Sequence, residues 1–187
     1  MKKHFFLAFL CLVCVKSILI AQNNLSFEEE ELTFNLGNGI FSVQGVYSFS
    51  APAKAEYTIK YPFPTDTIYG MPFDISVRYF GSGKPIFFRP DRNLSCIIFK
   101  ALISKNTLIY IGYSQPLKKD KAKYILLTTQ EWNKPLKLSN IKLATDTSLV
   151  IKSFSIKPDK KISVLNKIVY FWQKEDFWPQ TDFEVVF

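Results

Sequence analysis

The chain has 187 residues and a formal net charge of +8, and its only histidine, His4, lies near the N-terminus. Once residues 1–22 are set aside, one cysteine remains, Cys96, and no imidazole. This composition excludes Ser-His-Asp and Cys-His nucleophilic centres, and the usual histidine-based zinc sites, from the rest of the chain. We therefore expect no catalytic residue, no metal ion and no cofactor.

Residues 1–22 match a secretory signal peptide. Two lysines open the stretch, an unbroken apolar run covers residues 5–15, and Ala21 offers a cleavage point before Gln22, with a cut after Ser17 as the alternative. The run is shorter than the roughly 18–20 apolar residues that a membrane span requires. The sequence therefore predicts a protein that is secreted, or located in the periplasm or cell envelope.

The remaining segment, 23–187, holds 21 basic and 16 acidic side chains, a net charge of +5. Lysine dominates the positive charge, and the only arginines are Arg78, Arg89 and Arg92. Nucleic-acid-binding proteins usually show a denser, arginine-rich face with aromatic platforms, so we expect no nucleic acid partner. Attraction to a protein or to an anionic envelope polymer fits this charge. No further apolar run is long enough to predict a transmembrane segment.

Beyond the signal, apolar and polar side chains alternate with a period of two, which is typical of half-buried strands. Glycine, proline and polar turn signals separate these runs, and no long amphipathic helix pattern interrupts them. The sequence predicts an all-β protein: a single antiparallel β-sandwich of about 10–12 strands over residues 23–187. The clearest candidate strands cover residues 41–49, 55–61, 73–79, 97–99, 108–111, 124–127, 168–172 and 183–187.

Two local patterns lead to more specific expectations. Residues 108–113 and 124–129 are joined through a short polar link at 118–121, which predicts an antiparallel hairpin. Ser26 stands two residues before a run of four glutamates, 28–31, and begins a capping-box spacing. We expect at most a short helical turn there, and a solvated acidic edge rather than a metal site. Cys96 adjoins an apolar run and is expected to be a buried thiol.

Candidate ligand contacts come from the tryptophans. Trp132 lies in a polar stretch beside glutamate and asparagine, and Trp178 precedes Pro179. Exposed indole rings in such settings can stack on sugar rings, so Trp132 and Trp178 are the candidate ligand-stacking residues. The alternative is that both rings plug the ends of the sandwich.

Paired carboxylates, as in glycoside hydrolysis, are a further possibility. The sequence alone does not indicate which acidic side chains meet across a cleft. The candidates are Asp66, Asp74, Asp91, Glu131, Glu175, Asp176 and Asp182.

Two groups of segments resemble uncharacterised exported bacterial β-sandwich domains. The first comprises residues 43–52 and 61–64, and the second comprises residues 113–117, 124–129 and 132–136. The first group resembles the opening of vault/inter-alpha-trypsin type domains, in which a strand and an Asn-Pro turn lead to an apolar Phe-Pro-x-Pro segment. An alanine stands here where that turn has asparagine. The resemblance implies a β-sandwich that mediates interactions, and it assigns no catalytic residue.

Together these observations predict a non-enzymatic exported β-sandwich that mediates protein–protein interaction at or outside the cell envelope. A carbohydrate-binding module that uses exposed tryptophan is the alternative. A carboxylate-based hydrolase is the third hypothesis.

Overall fold

The computed structural model describes residues 24–66, 68–93 and 95–187. The predicted signal peptide, residues 1–22, lies outside the described residues. Within them the chain forms 13 strands and one short 3₁₀ helix, Leu127–Trp132. The strands are β1 (Ser26–Gly37), β2 (Ile40–Ser50), β3 (Ala55–Pro62), β4 (Phe73–Tyr79), β5 (Phe88–Pro90), β6 (Cys96–Ile103), β7 (Thr107–Pro116), β8 (Lys121–Tyr124), β9 (Leu136–Asp146), β10 (Ser153–Phe154), β11 (Lys160–Val164), β12 (Lys167–Phe177) and β13 (Phe183–Val186).

The strands form three sheets. The largest has seven strands in the order β11-β12-β9-β1-β2-β7-β4, and two sheets of three strands have the orders β10-β13-β8 and β3-β6-β5. Within the described ranges, every pairing between strands is antiparallel except that of β1 with β9. The predicted all-β, antiparallel sandwich is confirmed. The strand number exceeds the predicted 10–12 because strands as short as the two-residue β10 leave no periodic signal in the sequence.

The core lies between the large sheet and the two smaller sheets. Phe34 on β1 contacts Phe183 on β13, with ring centroids 5.0 Å apart, and Trp172 on β12 meets the same ring at 5.1 Å. All three side chains are at most 1% exposed. Removing such large apolar groups from water supplies most of the favourable free energy of folding, so this aromatic contact holds the two layers together.

The first hairpin shows how local sequence sets the register. Gly37 pairs with Ile40, so the loop between β1 and β2 consists of Asn38 and Gly39. Both have positive φ, 52° and 72°, as a type I′ turn requires. Asparagine and glycine tolerate this conformation best, and the turn therefore fixes which residues of β1 and β2 face each other.

The segment that begins at Ser26 is a strand, and the capping-box spacing there starts no helical turn. β1 lies between β2 and β9 in the middle of the large sheet, with a bulge between Phe27 and Glu29. The expected solvated acidic edge is wrong for Glu30, which is 3% exposed. Tertiary pairing on both sides of β1 overrides the local helix-start signal.

The predicted hairpin of residues 108–129 does not form. β7 pairs with β2 and β4, whereas β8 pairs with β13 in a different sheet. The polar link therefore carries the chain from one sheet to another rather than back along the same one. A short polar connection suits both paths, so sequence alone does not separate them.

The alternation expected over residues 73–79 breaks at its first residue. Phe73 is 40% exposed, whereas Val77 is buried as predicted. The pairing of β4 with β7 shifts register between Phe73 and Ser76, and Asp74 has a φ of 51°. A bulge of this kind turns the preceding side chain out of phase with the rest of the strand.

The predicted burial of Cys96 is confirmed, because the residue is 1% exposed at the start of β6. Burial raises the pKa of its thiol. Among the described residues there is no helix with the length and apolar character that crossing a membrane would take.

Candidate functional site

A cavity of about 500 Å³ opens into the sandwich. Its walls come from β1 and β2 of the large sheet, from β3 of a smaller sheet, and from the 3₁₀ helix with the residues beside it. A volume of this size is within the range of small-molecule binding sites, roughly 300–1,000 Å³.

Six aromatic side chains line the cavity. They are Phe27, Tyr47, Phe49, Tyr61, Tyr124 and Trp132. The indole of Trp132 meets the ring of Phe27 edge-on, with centroids 5.9 Å apart, and lies 5.7 Å from Phe49. Phe27 and Phe49 stack at 5.3 Å. These mutual contacts hold the rings in place before any ligand binds.

Glu30 places a carboxyl group among these rings. It lies directly opposite Tyr47 in the pairing of β1 with β2, so both side chains lie on the inner face of the sheet. The Ser139 hydroxyl donates a hydrogen bond of 2.7 Å to Oε1 of Glu30. Within the described part of the chain, no hydrogen bond reaches Oε2.

Burial has a large effect on this carboxyl group. Removal from water disfavours the charged form and raises the pKa of Glu30 to about 7, although the hydrogen bond from Ser139 opposes the shift. Near neutral pH the group is therefore present in both protonation states. A buried group with such a pKa, inside a cavity, is a recognised marker of functional sites.

Three tyrosine hydroxyls meet beside Glu30. The hydroxyl of Tyr47 is 2.8 Å from that of Tyr61 and 2.9 Å from that of Tyr124. These residues belong to β2, β3 and β8, so the cluster joins all three sheets. Burial raises the pKa of Tyr47 far above its ordinary value, and the hydroxyls stay neutral. Because they bond to one another, they offer few free donors to a ligand.

The cavity opening is more polar than its interior. Lys60 and Glu131 line it and are exposed, and half-buried Thr128 and exposed Asn133 add further polar groups. Glu30 and Glu131 are the two carboxyl groups that line the cavity. Glu30 lies buried among aromatic rings, whereas Glu131 is in contact with solvent.

Ion pairs fix the segment that follows Trp132. Lys134 and Lys137 contact Glu28 at 2.6 and 2.7 Å, and Ser26 also bonds to this carboxylate. Partial burial alone would raise the pKa of Glu28, but these partners outweigh it and hold the pKa at about 2. The segment after the 3₁₀ helix is thus tied to the start of β1.

The two predicted ligand-stacking residues have different positions. Trp132 is half-buried and lines the cavity, with its ring against Phe27 and Phe49. Trp178 is 39% exposed and is not among the lining residues. The side chain of Gln130 donates a hydrogen bond of 2.7 Å to the carbonyl of Pro179, which ties the segment after Trp178 to the 3₁₀ helix.

Three of the seven predicted carboxylate candidates have structural roles. Asp66 accepts hydrogen bonds from backbone amides in its own loop, Asp91 from Ser95 and the amide of Cys96, and Asp182 from the amides of Leu126 and Leu127. Glu131 is the one predicted candidate that lines the cavity. In the portion of the chain that is described, no group of three or more metal-ligating side chains is placed to hold a metal ion.

Glu30 is the residue that the sequence interpretation missed. A signal for it does exist, because Glu30 is in phase with Leu32, Phe34 and Leu36, and all four are buried. A glutamate on the apolar face of a central strand is costly unless it is satisfied or functional. Because Glu30 lies within a run of four glutamates, its alternation with the apolar residues of β1 was not recognised.

Comparisons with known proteins agree with the fold. No protein-family model matches the sequence, and no curated protein sequence matches it. Among solved structures, the chain resembles a protein of Legionella pneumophila that is provisionally described as a nutrient binding protein. The TM-score is 0.62 at 16% sequence identity, over 89% of this chain and 67% of the other. At this identity the likeness is one of fold.

Proposed function

We propose that this protein is a non-enzymatic, exported binding protein that takes a small ligand into the aromatic cavity. The observation that carries the proposal is the combination of a cavity of about 500 Å³, six aromatic side chains in its wall and one buried carboxyl group. Apolar walls with a few placed polar groups are typical of small-molecule sites. The description of the Legionella pneumophila protein as a binding protein supports the same class of function.

The position of Glu30 supports a ligand-binding role over a purely structural one. A buried carboxyl group that meets no cation raises the free energy of the folded state whenever it ionises. Leucine or methionine at this position would avoid that cost. Residues whose chemistry conflicts with their local environment, such as a carboxyl group at a buried position, are concentrated at functional sites.

A role in protein–protein contacts, predicted from the sequence, stays a prediction. Large exposed apolar side chains such as Phe87 and Leu165, at 93% and 97%, are available outside the cavity. Scattered exposed residues of this kind are normal on protein surfaces, however. The rings that gather in one place face inward, and this favours a small ligand.

The test is a thermal-shift screen of the purified mature protein against sugars, amino acids, amines and carboxylates, followed by calorimetry of each hit. A ligand that occupies the cavity should bind at least tenfold more weakly to Trp132→Ala. Trp178→Ala is the matched control, since Trp178 does not line the cavity, and it should bind as the wild type does.

Equal weakening by both variants would instead support a stacking platform that uses Trp132 and Trp178, as the carbohydrate-binding alternative requires. A screen without any hit, or hits insensitive to Trp132→Ala, would overturn the proposal.

A hydrolase remains the second candidate because Glu30 and Glu131 line the same cavity. A protonated acid with a raised pKa and an ionised partner are the two groups that glycoside hydrolysis uses. Incubation with nitrophenyl glycosides should release no nitrophenol if the protein only binds. Release that is lost in both Glu30→Gln and Glu131→Gln would replace the binding assignment with the enzymatic one.

A further inference from the structure

We infer that the ligand of this cavity is an organic cation, a quaternary ammonium or substituted amine, held between the aromatic wall and the Glu30 carboxylate. This inference rests on the proposed binding function and specifies the class of ligand. It follows from three properties of the cavity: the ring surfaces, the position of the Glu30 carboxyl group, and the pairing of the buried tyrosine hydroxyls with one another.

The ring surfaces suit a soft cation. The faces of tryptophan, tyrosine and phenylalanine carry negative electrostatic potential, and a cation within about 6 Å of a ring centroid is attracted to it. Trp132 and Tyr47 both line the cavity, and the centroid of each ring lies 5.9 Å from that of Phe27. Several rings around one space form the kind of cage that recognises methylated ammonium groups.

Glu30 places a carboxyl group inside the cavity, and no lysine or arginine of the described residues forms a salt bridge with it. Oε1 of Glu30 accepts a hydrogen bond from the neutral hydroxyl of Ser139. An ionised carboxylate in this position lacks the cation that would normally compensate it. A positively charged ligand would supply that partner.

The buried tyrosine hydroxyls of the cavity already bond to one another, and this argues against a sugar placed against them. A bound sugar must replace the water around several hydroxyl groups, and each hydroxyl left unpaired costs free energy. The hydroxyls of Tyr47, Tyr61 and Tyr124 already bond to each other. A quaternary ammonium group has no donor or acceptor to satisfy, so it loses nothing here.

Ionisation of Glu30 makes cation binding depend on pH. The pKa of Glu30 is about 7, so roughly a tenth of the groups are ionised at pH 6 and roughly nine-tenths at pH 8. If only the ionised form pairs with the cation, affinity should rise by up to about tenfold between these values. The other titratable or charged groups that line the cavity are Tyr47, Tyr61, Tyr124, Lys60 and Glu131.

The buried tyrosines among these groups do not change charge over this range. Burial keeps them neutral, with pKa values well above ordinary ones. Lys60 and Glu131 are exposed, so solvent separates their charges from a ligand bound beside Glu30 more than burial would.

The experiment compares choline with 3,3-dimethylbutan-1-ol, in which a carbon atom replaces the charged nitrogen and the shape is kept. Binding to the mature wild-type protein is measured by calorimetry at pH 6, 7 and 8. Phosphate is the buffer, because Tris is itself an organic cation. We expect choline to bind at least tenfold more tightly than the alcohol at pH 8, with affinity that rises from pH 6 to 8.

Glu30→Gln keeps the shape of the side chain and removes its charge. In this variant the preference for choline over the alcohol should fall to a factor of about two or three, and the pH dependence should disappear. The wild-type pH series gives the same information without a substitution, so the inference stays testable if the variant is unstable.

The outcomes separate this inference from the proposed function. Equal or tighter binding of the neutral alcohol would overturn the cationic ligand and leave the cavity as a binding site. Failure of both probes, with a hit of another class in the screen, would do the same. Failure of both probes and of the whole screen would overturn the inference and the proposed function together.

Discussion

The hydroxyl of Tyr47 lies 2.8 Å from that of Tyr61, and this contact connects the large sheet to β3 across the interior. A second contact, 2.9 Å to Tyr124, extends the connection to the third sheet. The hydroxyl of Tyr47 therefore contacts both of the three-stranded sheets at the edge of the cavity. Its hydrogen bonds serve the packing of the sandwich and the shape of the site at the same time.

Replacing this hydroxyl tests the connection. Tyr47→Phe removes both hydrogen bonds but keeps the ring, and we expect the free energy of unfolding to fall by about 1–3 kcal/mol. Tyr110→Phe is the matched control, because Tyr110 is half-buried and its ring, 3.7 Å from the Arg78 guanidinium, stays in place. Urea unfolding followed by circular dichroism measures both. Similar losses in the two variants would show that the tyrosine cluster contributes nothing beyond ring packing.

Glu30 should make the protein less stable as pH rises. Its pKa is about 7 in the folded state against an ordinary value of 4.5, so the folded protein holds one more proton than the unfolded chain between these values. Stability therefore falls as pH increases from about 4.5 through 7, by about 3 kcal/mol in total.

The comparison is urea unfolding of the wild type and Glu30→Gln at pH 5 and pH 8, without ligand. The variant should lack this pH-dependent loss, so that its stability relative to the wild type is higher at pH 8 than at pH 5. A wild-type protein that becomes more stable over this range, with no change of slope in the variant, would contradict the buried carboxyl.

Burial at the start of the 3₁₀ helix can be tested with two adjacent leucines. Leu126 is fully buried, whereas Leu127 is 38% exposed. We expect Leu126→Ala to lower the free energy of unfolding by about 2–5 kcal/mol, through lost burial and the cavity left behind. Leu127→Ala should cost clearly less, because much of its surface already contacts water. If Leu127→Ala lowered the free energy of unfolding more than Leu126→Ala in chemical denaturation, Leu127 rather than Leu126 would be the buried residue.

Cys96 should react slowly with thiol reagents. The residue is 1% exposed, and burial raises the pKa of its thiol, so the reactive thiolate is both rare and inaccessible. Labelling of the mature protein by a maleimide should be slow until denaturant is added. Cys96→Ser should fold, with a loss of about 1–3 kcal/mol from the buried hydroxyl. Rapid labelling of the native protein would contradict the burial of Cys96 at the start of β6.

The export prediction concerns residues 1–22. Mass spectrometry of protein recovered from the secreted or periplasmic fraction should give an N-terminus near Gln22. A chain that still begins at Met1 in that fraction would rule out cleavage of the predicted signal.

The sequence predicted the strands well where one face is buried. Phe41, Val43, Tyr47 and Phe49 alternate along β2 and are all buried as expected, because a period of two is a direct consequence of strand geometry. The sequence did not predict which strands pair with each other. The parallel contact of β1 with β9 joins residues more than a hundred positions apart, and no local pattern marks it.

Of the two site residues Trp132 and Glu30, the sequence predicted only Trp132. Trp132 was found because a tryptophan in a polar stretch is unusual, but the ring of Phe27 that supports it lies far away in the sequence. Glu30 was missed because burial of an acidic residue depends on which strands flank it. Periodicity gives the phase of a residue within a strand, and only the sheet order decides whether that face is inside.

The hydrogen bond from Ser139 to Glu30 spans 109 residues of chain and connects β9 to β1. A fragment that ends before β9 keeps both strands of the first hairpin but lacks the hydroxyl that bonds to Glu30. The immediate surroundings of this carboxyl group are therefore complete only in a chain that extends through β9, and truncation there would change the environment of Glu30 without removing either strand of the hairpin that carries it.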